Sequence, residues 1–170
     1  MIYEPEKDSY LLEKYVKKYA KGRVLDVGTG SGIQALATLD KAKEVIAIDI
    51  DEEAIEFVKK KGVMAFCSDL FENVGGKFDL IVFNPPYLPR DSREDKESQR
   101  ITTGGKEGHE VLERFLKDAK KYLAKNGKIL IVFSSLTGDV VSILKKYQYK
   151  FECLEIEKMF FEELYVYLIE

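Results

Sequence analysis

Apolar residues recur at two different spacings along this chain, and the alternation between them predicts a repeating order of strands and helices. Short runs made mostly of apolar residues predict buried strands, here at 23–27, 44–48, 63–67, 78–83 and 128–133. Apolar residues at helical spacing predict the intervening helices, at 8–20, 31–39, 52–61, 107–124 and 137–147. Two last segments, 151–158 and 164–169, are joined by a short turn and predict an antiparallel hairpin. The order predicts an α/β fold: a doubly wound, seven-stranded, mostly parallel sheet with an antiparallel C-terminal hairpin.

Length and composition favour an ordinary globular protein. The chain has 170 residues and 45% hydrophobic content, so we expect one domain over 1–170. No apolar run approaches the ~20 residues that span a bilayer, and the start shows no signal-peptide pattern, so we expect a cytoplasmic protein without membrane contact. Cys67 and Cys153 are far apart and lie in strand-like segments, which predicts buried free thiols and no metal site.

The charge balance argues against nucleic acid as the main partner. The chain has 27 basic and 30 acidic residues, a net charge of −3, whereas nucleic-acid-binding proteins usually carry a basic excess or a basic stripe. The lysine clusters at 59–61 and 117–121 are typical of solvated helix faces.

A glycine-rich turn follows the first predicted strand. The sequence Gly28-Thr-Gly-Ser-Gly32 stands between a strand and a helix, where glycines let a nucleotide-like ligand approach the backbone. A dinucleotide fingerprint requires Gly-x-Gly-x-x-Gly, but Ile33 stands where the third glycine is expected. This spacing counts against NAD.

Carboxylates end the next two predicted strands. Asp49 lies 21 residues after Gly28, at the distance where an acid can accept hydrogen bonds from both hydroxyls of a ribose. Asp51 is interpreted as the N-cap of the following helix, as Asp8 is of the first. Asp69 is a second strand-end carboxylate, although a helix or turn cap is an alternative interpretation.

The fourth strand stops abruptly at Asn84-Pro-Pro-Tyr87. The two prolines cannot continue a central strand, so an amide, proline carbonyls and an aromatic ring are held at its carboxyl end. A stiff turn with no further role is the plain alternative. Open α/β sheets bind ligands at this edge, so we expect this turn, the glycine turn and the two carboxylates to line one crevice.

The segment 88–106 shows neither helical nor strand periodicity and is rich in charge between Arg90 and Arg100. A stretch of that length inside a compact domain is typical of a lid or a binding loop. Gly104, Gly105 and Gly108 are predicted to act as its hinges.

These motifs resemble those of a known family. The sheet pattern with Asp26-Val-Gly-Thr-Gly-Ser-Gly32 is similar to class I S-adenosylmethionine-dependent methyltransferases, and Asn84-Pro-Pro-Tyr87 to those that methylate planar amines of adenine or glutamine. Tyr3-Glu-Pro-Glu-Lys-Asp-Ser-Tyr-Leu-Leu12 and Gly104-Gly-Lys-Glu-Gly-His-Glu-Val-Leu-Glu-Arg-Phe115 resemble segments of the HemK-like release-factor glutamine methyltransferases. The resemblance is to the short archaeal and eukaryotic branch, so we do not expect the N-terminal helical domain of the bacterial branch.

The resemblance implies roles for individual residues. Asp26 with the backbone of Gly28 and Gly30 would hold the methionine part of S-adenosyl-L-methionine, and Tyr3, Glu4, Pro5 and Ser9 would close over it. Asp49 would take the ribose hydroxyls, and Asp69 with Leu70 the adenine edge. Asn84 would also bind the cofactor. Asn84 and the Pro85 carbonyl would bind the substrate NH2, with Pro86 and Tyr87 packing beside it. Asn84, Pro85 and Tyr87 are the expected catalytic residues.

The resemblance also implies partners and leaves alternatives open. The favoured substrate is the glutamine of the Gly-Gly-Gln loop of a class I peptide chain release factor. Adenine in nucleic acid, a protein lysine, and a non-enzymatic cofactor-binding module remain alternatives. A small zinc-binding activator protein would add along the predicted edge strand 63–67, where Met64 and Phe66 are available to be buried.

Overall fold

The computed structural model describes residues 4–93 and 95–170, so the role expected for Tyr3 lies outside the described residues. The strands are β1 Arg23–Val27, β2 Glu44–Asp49, β3 Met64–Cys67, β4 Phe78–Phe83, β5 Leu88–Pro89, β6 Thr103–Gly105, β7 Leu123–Ser134, β8 Phe151–Lys158 and β9 Glu163–Ile169. The helices are α1 Lys7–Tyr19, α2 Ile33–Leu36, α3 Glu52–Lys60, α4 Lys96–Thr102, α5 Glu110–Ala119 and α6 Val140–Lys146.

The main sheet has seven strands in the order β3-β2-β1-β4-β7-β9-β8. The first five strands in this order are parallel, and β9 pairs antiparallel with both β7 and β8. The predicted fold class is therefore confirmed. The chain runs outward from β1 to β3 and then returns to the other side of β1 with β4, so the switch point of the sheet lies between β1 and β4. Ligands of open α/β sheets bind at that point.

Apolar side chains alternate across the sheet, and helices cover both faces. One face packs Leu25 and Ile81 against Phe115 of α5, while the other packs Val24 and Leu80 against α1. This two-sided burial explains why successive positions of β1 and β4, at 24–25 and 80–83, are apolar, as is typical of a parallel sheet. The sheet is therefore a rigid platform for the loops at its carboxyl edge.

Several element boundaries differ from the sequence-based prediction. The second helix is short, and the predicted helix 107–124 ends at Ala119 and continues as one 3₁₀ turn. Asn126 and Gly127 lie inside β7 rather than before it. Asn126 has φ of 62°, and the register with β4 shifts between Phe78 and Leu80, so these residues form a bulge within the strand.

The two cysteines are exposed, so the prediction that they are buried was wrong. Cys67 lies on β3 and Cys153 on β8, the two edge strands of the sheet, where helices do not cover both faces. Among the described helices, none is long and apolar enough to cross a membrane.

The segment 88–106, predicted to lack regular structure, contains three elements. Leu88 and Pro89 pair in parallel with Thr103–Gly105, and α4 connects the two short strands. This pairing holds the end of the segment next to the Asn-Pro-Pro-Tyr turn, which directly precedes Leu88. Helix α4 could not be predicted from the sequence, because the polar segment gives it no continuous apolar face.

Candidate active site

The glycine-rich turn passes close to the neighbouring elements at the carboxyl end of β1. Gly28, Gly30 and Gly32 all have positive φ, which L-residues with a side chain adopt at a cost. A Cβ on Gly32 would lie 2.9 Å from a methyl of Val58 on α3. The turn therefore needs glycine for both its backbone conformation and its packing.

Asp26 is a buried carboxylate beneath this turn, with 2% of its surface exposed. Its Oδ2 accepts hydrogen bonds from the Thr29 hydroxyl at 2.7 Å and from the Ala35 N–H at 3.1 Å. Burial raises the pKa of Asp26 to about 7, although these two hydrogen bonds oppose the shift. A carboxyl group in this state changes charge near neutral pH.

Asp49 connects the second strand to the glycine turn. Its Oδ2 accepts the N–H of Gly30 at 2.9 Å, and its Oδ1 accepts the N–H of Asp51 at 3.0 Å. Burial raises the pKa of Asp49 above its ordinary value. Asp51 caps α3 as predicted, by accepting the Glu53 N–H at 2.9 Å. With backbone N–H groups of Gly30, Ile50 and Asp51 bonded to it, the Asp49 carboxylate keeps acceptor capacity for a hydroxyl group.

Asp69 and Leu70 follow the third strand on the same edge. The Asp69 carboxylate accepts a hydrogen bond from Arg114 of α5 at 2.9 Å. Leu70 has φ of 50°, which is rare for a residue with a side chain, and the Ser68 hydroxyl donates to its carbonyl at 2.8 Å. Strained backbone of this kind persists where the surroundings hold it, and it is common at ligand sites.

The Asn84 side chain is held in one orientation by α1. Its NH2 group donates to Asp8 Oδ2 at 3.2 Å and lies 3.5 Å from the Ser9 hydroxyl. A carboxylate only accepts hydrogen bonds, so the amide nitrogen must face Asp8 and the amide oxygen must face away from it. That oxygen, Oδ1, is buried and has no hydrogen-bond partner among the described residues. An acceptor without a donor inside a ligand cleft marks a place for an incoming N–H group.

Asp8 was not predicted as a site residue, because its position in the sequence suggested a helix cap. The N-cap position belongs to Glu6, and Asp8 lies in the first turn of α1 with 4% of its surface exposed. The Tyr87 hydroxyl donates to Asp8 Oδ2 at 3.0 Å, so one carboxylate positions both polar side chains of the Asn-Pro-Pro-Tyr turn. The available signal was spacing: Leu11 and Leu12 follow at three and four residues and place Asp8 on the buried helix face.

Gln34 is a second residue that was not predicted from the sequence. It is buried at 3% exposure on α2, and its amide nitrogen donates to the Ser9 carbonyl at 2.9 Å. Its Oε1 is buried without a partner in the described part of the chain. The residue therefore fastens α1 to the glycine turn and presents a second acceptor.

These residues surround one cleft of about 1220 Å³ at the switch point of the sheet. Most of the predicted site residues line it: Ser9, Asp26, Gly28, Gly30, Asp49, Asp69, Leu70, Asn84, Pro85, Pro86 and Tyr87. Glu4 and Pro5 precede α1 and are not among the lining residues. Segment 88–106 contributes Leu88, Lys96, Ile101, Thr102 and Thr103 to the wall. Ile50 stands in the cleft with 63% of its surface exposed, which offers an apolar face to a ligand.

Gly104 packs directly on the backbone of the Asn-Pro-Pro-Tyr turn. A Cβ at this position would lie 2.5 Å from the Pro86 carbonyl oxygen and 2.0 Å from that of Gly108. Gly108 in turn lies against the Tyr87 carbonyl. The glycines predicted as hinges therefore permit close backbone packing, which braces the turn.

We expect Gly104→Ala to lower kcat by about 10²-fold, because the methyl group would displace the Pro86 carbonyl and misplace the site by a fraction of an ångström or more. Steady-state kinetics with a titration of cofactor binding measures this. Gly75→Ala is the matched control, since no neighbouring atom lies within 4 Å of its added Cβ. Equal kcat for the two variants would show that the close packing at Gly104 is irrelevant to catalysis.

The fold, with its ligand cleft at the switch point, is that of the class I methyltransferases, which use S-adenosylmethionine. The chain belongs to the methyltransferase small domain family, whose model matches residues 4–161.

Similarity to named relatives indicates the kind of methyltransferase that this chain resembles. The chain is 41% identical over 97% of its length to the "Putative protein N5-glutamine methyltransferase" of Methanocaldococcus jannaschii, of which it covers 89%. It is 32% identical over 69% of its length to the release factor glutamine methyltransferase of Streptococcus pneumoniae, but spans only 48% of that protein. Among solved structures, Mtq2 in the E. cuniculi Mtq2–Trm112 complex, responsible for methylation of the eRF1 translation termination factor, superposes with a TM-score of 0.82. The identity is 27%, with 99% of this chain and 98% of that one covered.

Proposed function

We propose that this protein transfers a methyl group from S-adenosylmethionine to the side-chain amide nitrogen of a glutamine in a class I peptide chain release factor, at its Gly-Gly-Gln motif. The observation that carries the proposal is the Asn84 amide oxygen, which is buried in the cleft without a donor among the described residues while its nitrogen is fixed by Asp8. The relatives named as glutamine methyltransferases support the same substrate class.

The polar groups that line the cleft suit the chemistry of the cofactor. S-adenosylmethionine supplies a methyl group on a positively charged sulfur when it is bound. Asp26 and the turn at Gly28 and Gly30 would hold its methionine part, and Asp49 has lone pairs for ribose hydroxyls. Asp69 and Leu70 would flank the adenine, with Ile50 offering an apolar contact. Ser9, whose carbonyl Gln34 holds, would close one side.

The substrate amide requires positioning more than proton removal. An amide nitrogen is a weak nucleophile because its lone pair is delocalised into the carbonyl. Asn84 Oδ1 and the Pro85 carbonyl would accept its two N–H groups, which aims the nitrogen and favours the positive charge that develops on it. Holding reactants in line can contribute roughly 7–11 kcal/mol. Asn84 has no useful pKa, so it does not act as a general base.

Two features favour glutamine over the alternative amines. Adenine in a duplex would have to be flipped out by a protein with a basic binding surface, whereas this chain has a net charge of −3. A lysine ammonium must lose a proton before it can attack, and Asp8, the acid bonded to Asn84, is engaged in holding the turn.

A small activator protein is a further partner that we propose. The E. cuniculi structure is that of a complex of Mtq2 with Trm112, and its methyltransferase chain resembles this one along its whole length. In this chain β3 is the edge of the sheet, with Met64 59% exposed and Phe66 half-buried. An exposed strand edge can pair with a strand of a partner. We propose that a small zinc-binding protein adds at Val63 to Cys67.

Radiolabelled methyl transfer tests the proposed substrate. The purified protein, with and without the activator, is assayed side by side on the release factor, on a variant with Ala in place of the Gly-Gly-Gln glutamine, and on DNA. We expect label only in the unaltered release factor. Label in DNA, or undiminished label in the glutamine-less release factor, would assign the enzyme to another substrate.

Cofactor binding should depend on pH through Asp26. Because the pKa of Asp26 is raised to about 7, the carboxyl is largely protonated at pH 6 and largely ionised at pH 8. A positively charged ligand prefers the ionised form, so binding releases a proton and affinity falls as pH falls. We expect binding about tenfold weaker at pH 6 than at pH 8, measured by calorimetry. Asp26→Asn should bind weakly with no such dependence; a wild-type affinity flat across this range would exclude Asp26 as the titrating group.

A further inference from the structure

The tip of the β8–β9 hairpin carries two adjacent aromatic side chains in solvent. Phe160 is 91% exposed and Phe161 86% exposed, and their rings meet edge to face at 4.5 Å between centroids. Two-residue hairpin tips normally carry Gly, Asn or Asp, for conformational reasons that do not apply to phenylalanine. Neither the turn nor the core therefore requires these residues. Exposed apolar surface of this kind marks an interaction site.

The tip lies at the catalytic edge of the sheet. Because β9 is antiparallel to β7, it begins where β7 ends, and Leu164 pairs with Ser134. The parallel register places Ile131 beside Phe83, so β7 passes Asn84 and ends just beyond it. The hairpin tip consequently extends on the side of the sheet where Asn84 presents its amide oxygen.

The surface between the tip and the catalytic cleft is continuous. Glu162 follows Phe161 directly and lines the same cleft as Asn84 and Tyr87. Its Oε2 is buried with no hydrogen-bond partner in the described ranges, so it can accept an N–H from a bound chain. Phe160 and Phe161 themselves line a shallow recess of about 490 Å³, together with Ser135 and Met159.

The tip is held by backbone hydrogen bonds rather than by its own side chains. Ser135 N–H donates to the Glu163 carbonyl at 2.8 Å, and Glu163 N–H donates to the Ser135 hydroxyl at 3.0 Å. Met159 N–H donates to the Glu162 carbonyl at 2.8 Å, which closes the turn. A preformed aromatic pair offers a large contact area at a low entropic cost.

We propose that Phe160 and Phe161 dock an apolar segment of the protein substrate that lies outside the cleft while its glutamine is held at Asn84. The proposal rests on the proposed function and adds the determinant by which a folded protein is recognised beyond the glutamine side chain. A polypeptide leaving the cleft past Glu162 meets the aromatic tip first, and apolar side chains seated on it and in the recess would fix the approach of the substrate.

The double variant F160S/F161S tests this proposal with the full chain and, where required, its activator. We expect KM for the release factor to rise about tenfold or more, as for the loss of two aromatic anchors, with kcat and cofactor affinity unchanged. Methylation of a short glutamine peptide without the flanking segment should be unaltered. Ile156→Ser is the matched control, because it removes an apolar side chain that is 54% exposed on the same hairpin but away from the tip.

The possible results of these measurements distinguish the docking role of the tip from the proposed function of the protein. An unchanged KM for the release factor would overturn the docking role while leaving the proposed function intact. If the wild-type protein methylates no release factor at all, the proposed function fails, and the docking role fails with it. A wild-type dimer in sedimentation that F160S/F161S dissociates, with KM unchanged, would assign the tip to a second copy of this chain. Thermal unfolding should be the same for all three proteins, since the substituted side chains are exposed.

Discussion

Asn84→Ala should abolish methyl transfer while cofactor binding stays within about threefold of the wild type. The substitution removes a buried acceptor in the cleft that has no donor in the described structure, so the substrate nitrogen loses an anchor. Loss of a single positioned hydrogen-bonding group in a transition state lowers kcat by about 10²–10³-fold. Here the reduction should be at least that large, because Asn84 would supply one of the two acceptors that aim the substrate nitrogen. Single-turnover kinetics and calorimetric titration of the cofactor measure the two quantities separately.

The control for this variant is Asn73→Ala. Asn73 is an asparagine outside the cleft whose amide donates to the Cys67 carbonyl at 3.0 Å in an exposed turn. It should retain full activity. An Asn84→Ala enzyme with wild-type turnover would remove the mechanism proposed for this site.

Asp8→Ala should lower kcat by about 10²-fold, because both Asn84 Nδ2 and the Tyr87 hydroxyl lose the acceptor that orients them. The Asn84 amide could then turn its NH2 group into the cleft, where it would oppose the N–H groups of the substrate. Asp8→Asn keeps an acceptor oxygen at the same place, so it should recover most of the loss. Comparing kcat of these two variants separates the loss of the acceptor that orients Asn84 and Tyr87 from the loss of side-chain volume.

Glu13→Gln is the corresponding control on the same helix, since Glu13 pairs only with Lys17 on the surface among the contacts of the described residues. Its kcat should match the wild type. Should Asp8→Ala and Asp8→Asn be equally impaired with a correspondingly lower unfolding temperature, Asp8 would have a structural role rather than a positioning one.

The main sheet and its covering helices were predictable because strand and helix periodicities alternate along the chain on both sides of segment 88–106. The strands β1, β2 and β4 are covered on both faces, and most of their residues are apolar. Segment 88–106 was less predictable, because α4 and the short strands around it are stabilised by their attachment to the turn at Pro86 and Tyr87 rather than by an apolar stripe. Local sequence does not encode such contacts.

The sequence predicts the candidate site residues that directly follow a predicted strand, because the carboxyl ends of parallel strands share one edge of the sheet. Asp49, Asp69 and Asn84 met this condition, and the structure places all three around one cleft. Asp8 and Gln34 did not, because each acts through a contact with a residue distant in sequence. The orientation of the Asn84 amide, and thus the empty acceptor it presents, depends on that distant carboxylate.

The role proposed for the Asn-Pro-Pro-Tyr turn is to present a glutamine amide nitrogen for methylation. Tandem mass spectrometry of release factor treated with the enzyme and S-adenosylmethionine tests this role most directly. We expect one added methyl group, located on the side-chain amide of the Gly-Gly-Gln glutamine and absent with the Asn84→Ala enzyme. A methyl group on a lysine, or on the glutamine despite the Asn84→Ala substitution, would contradict that role.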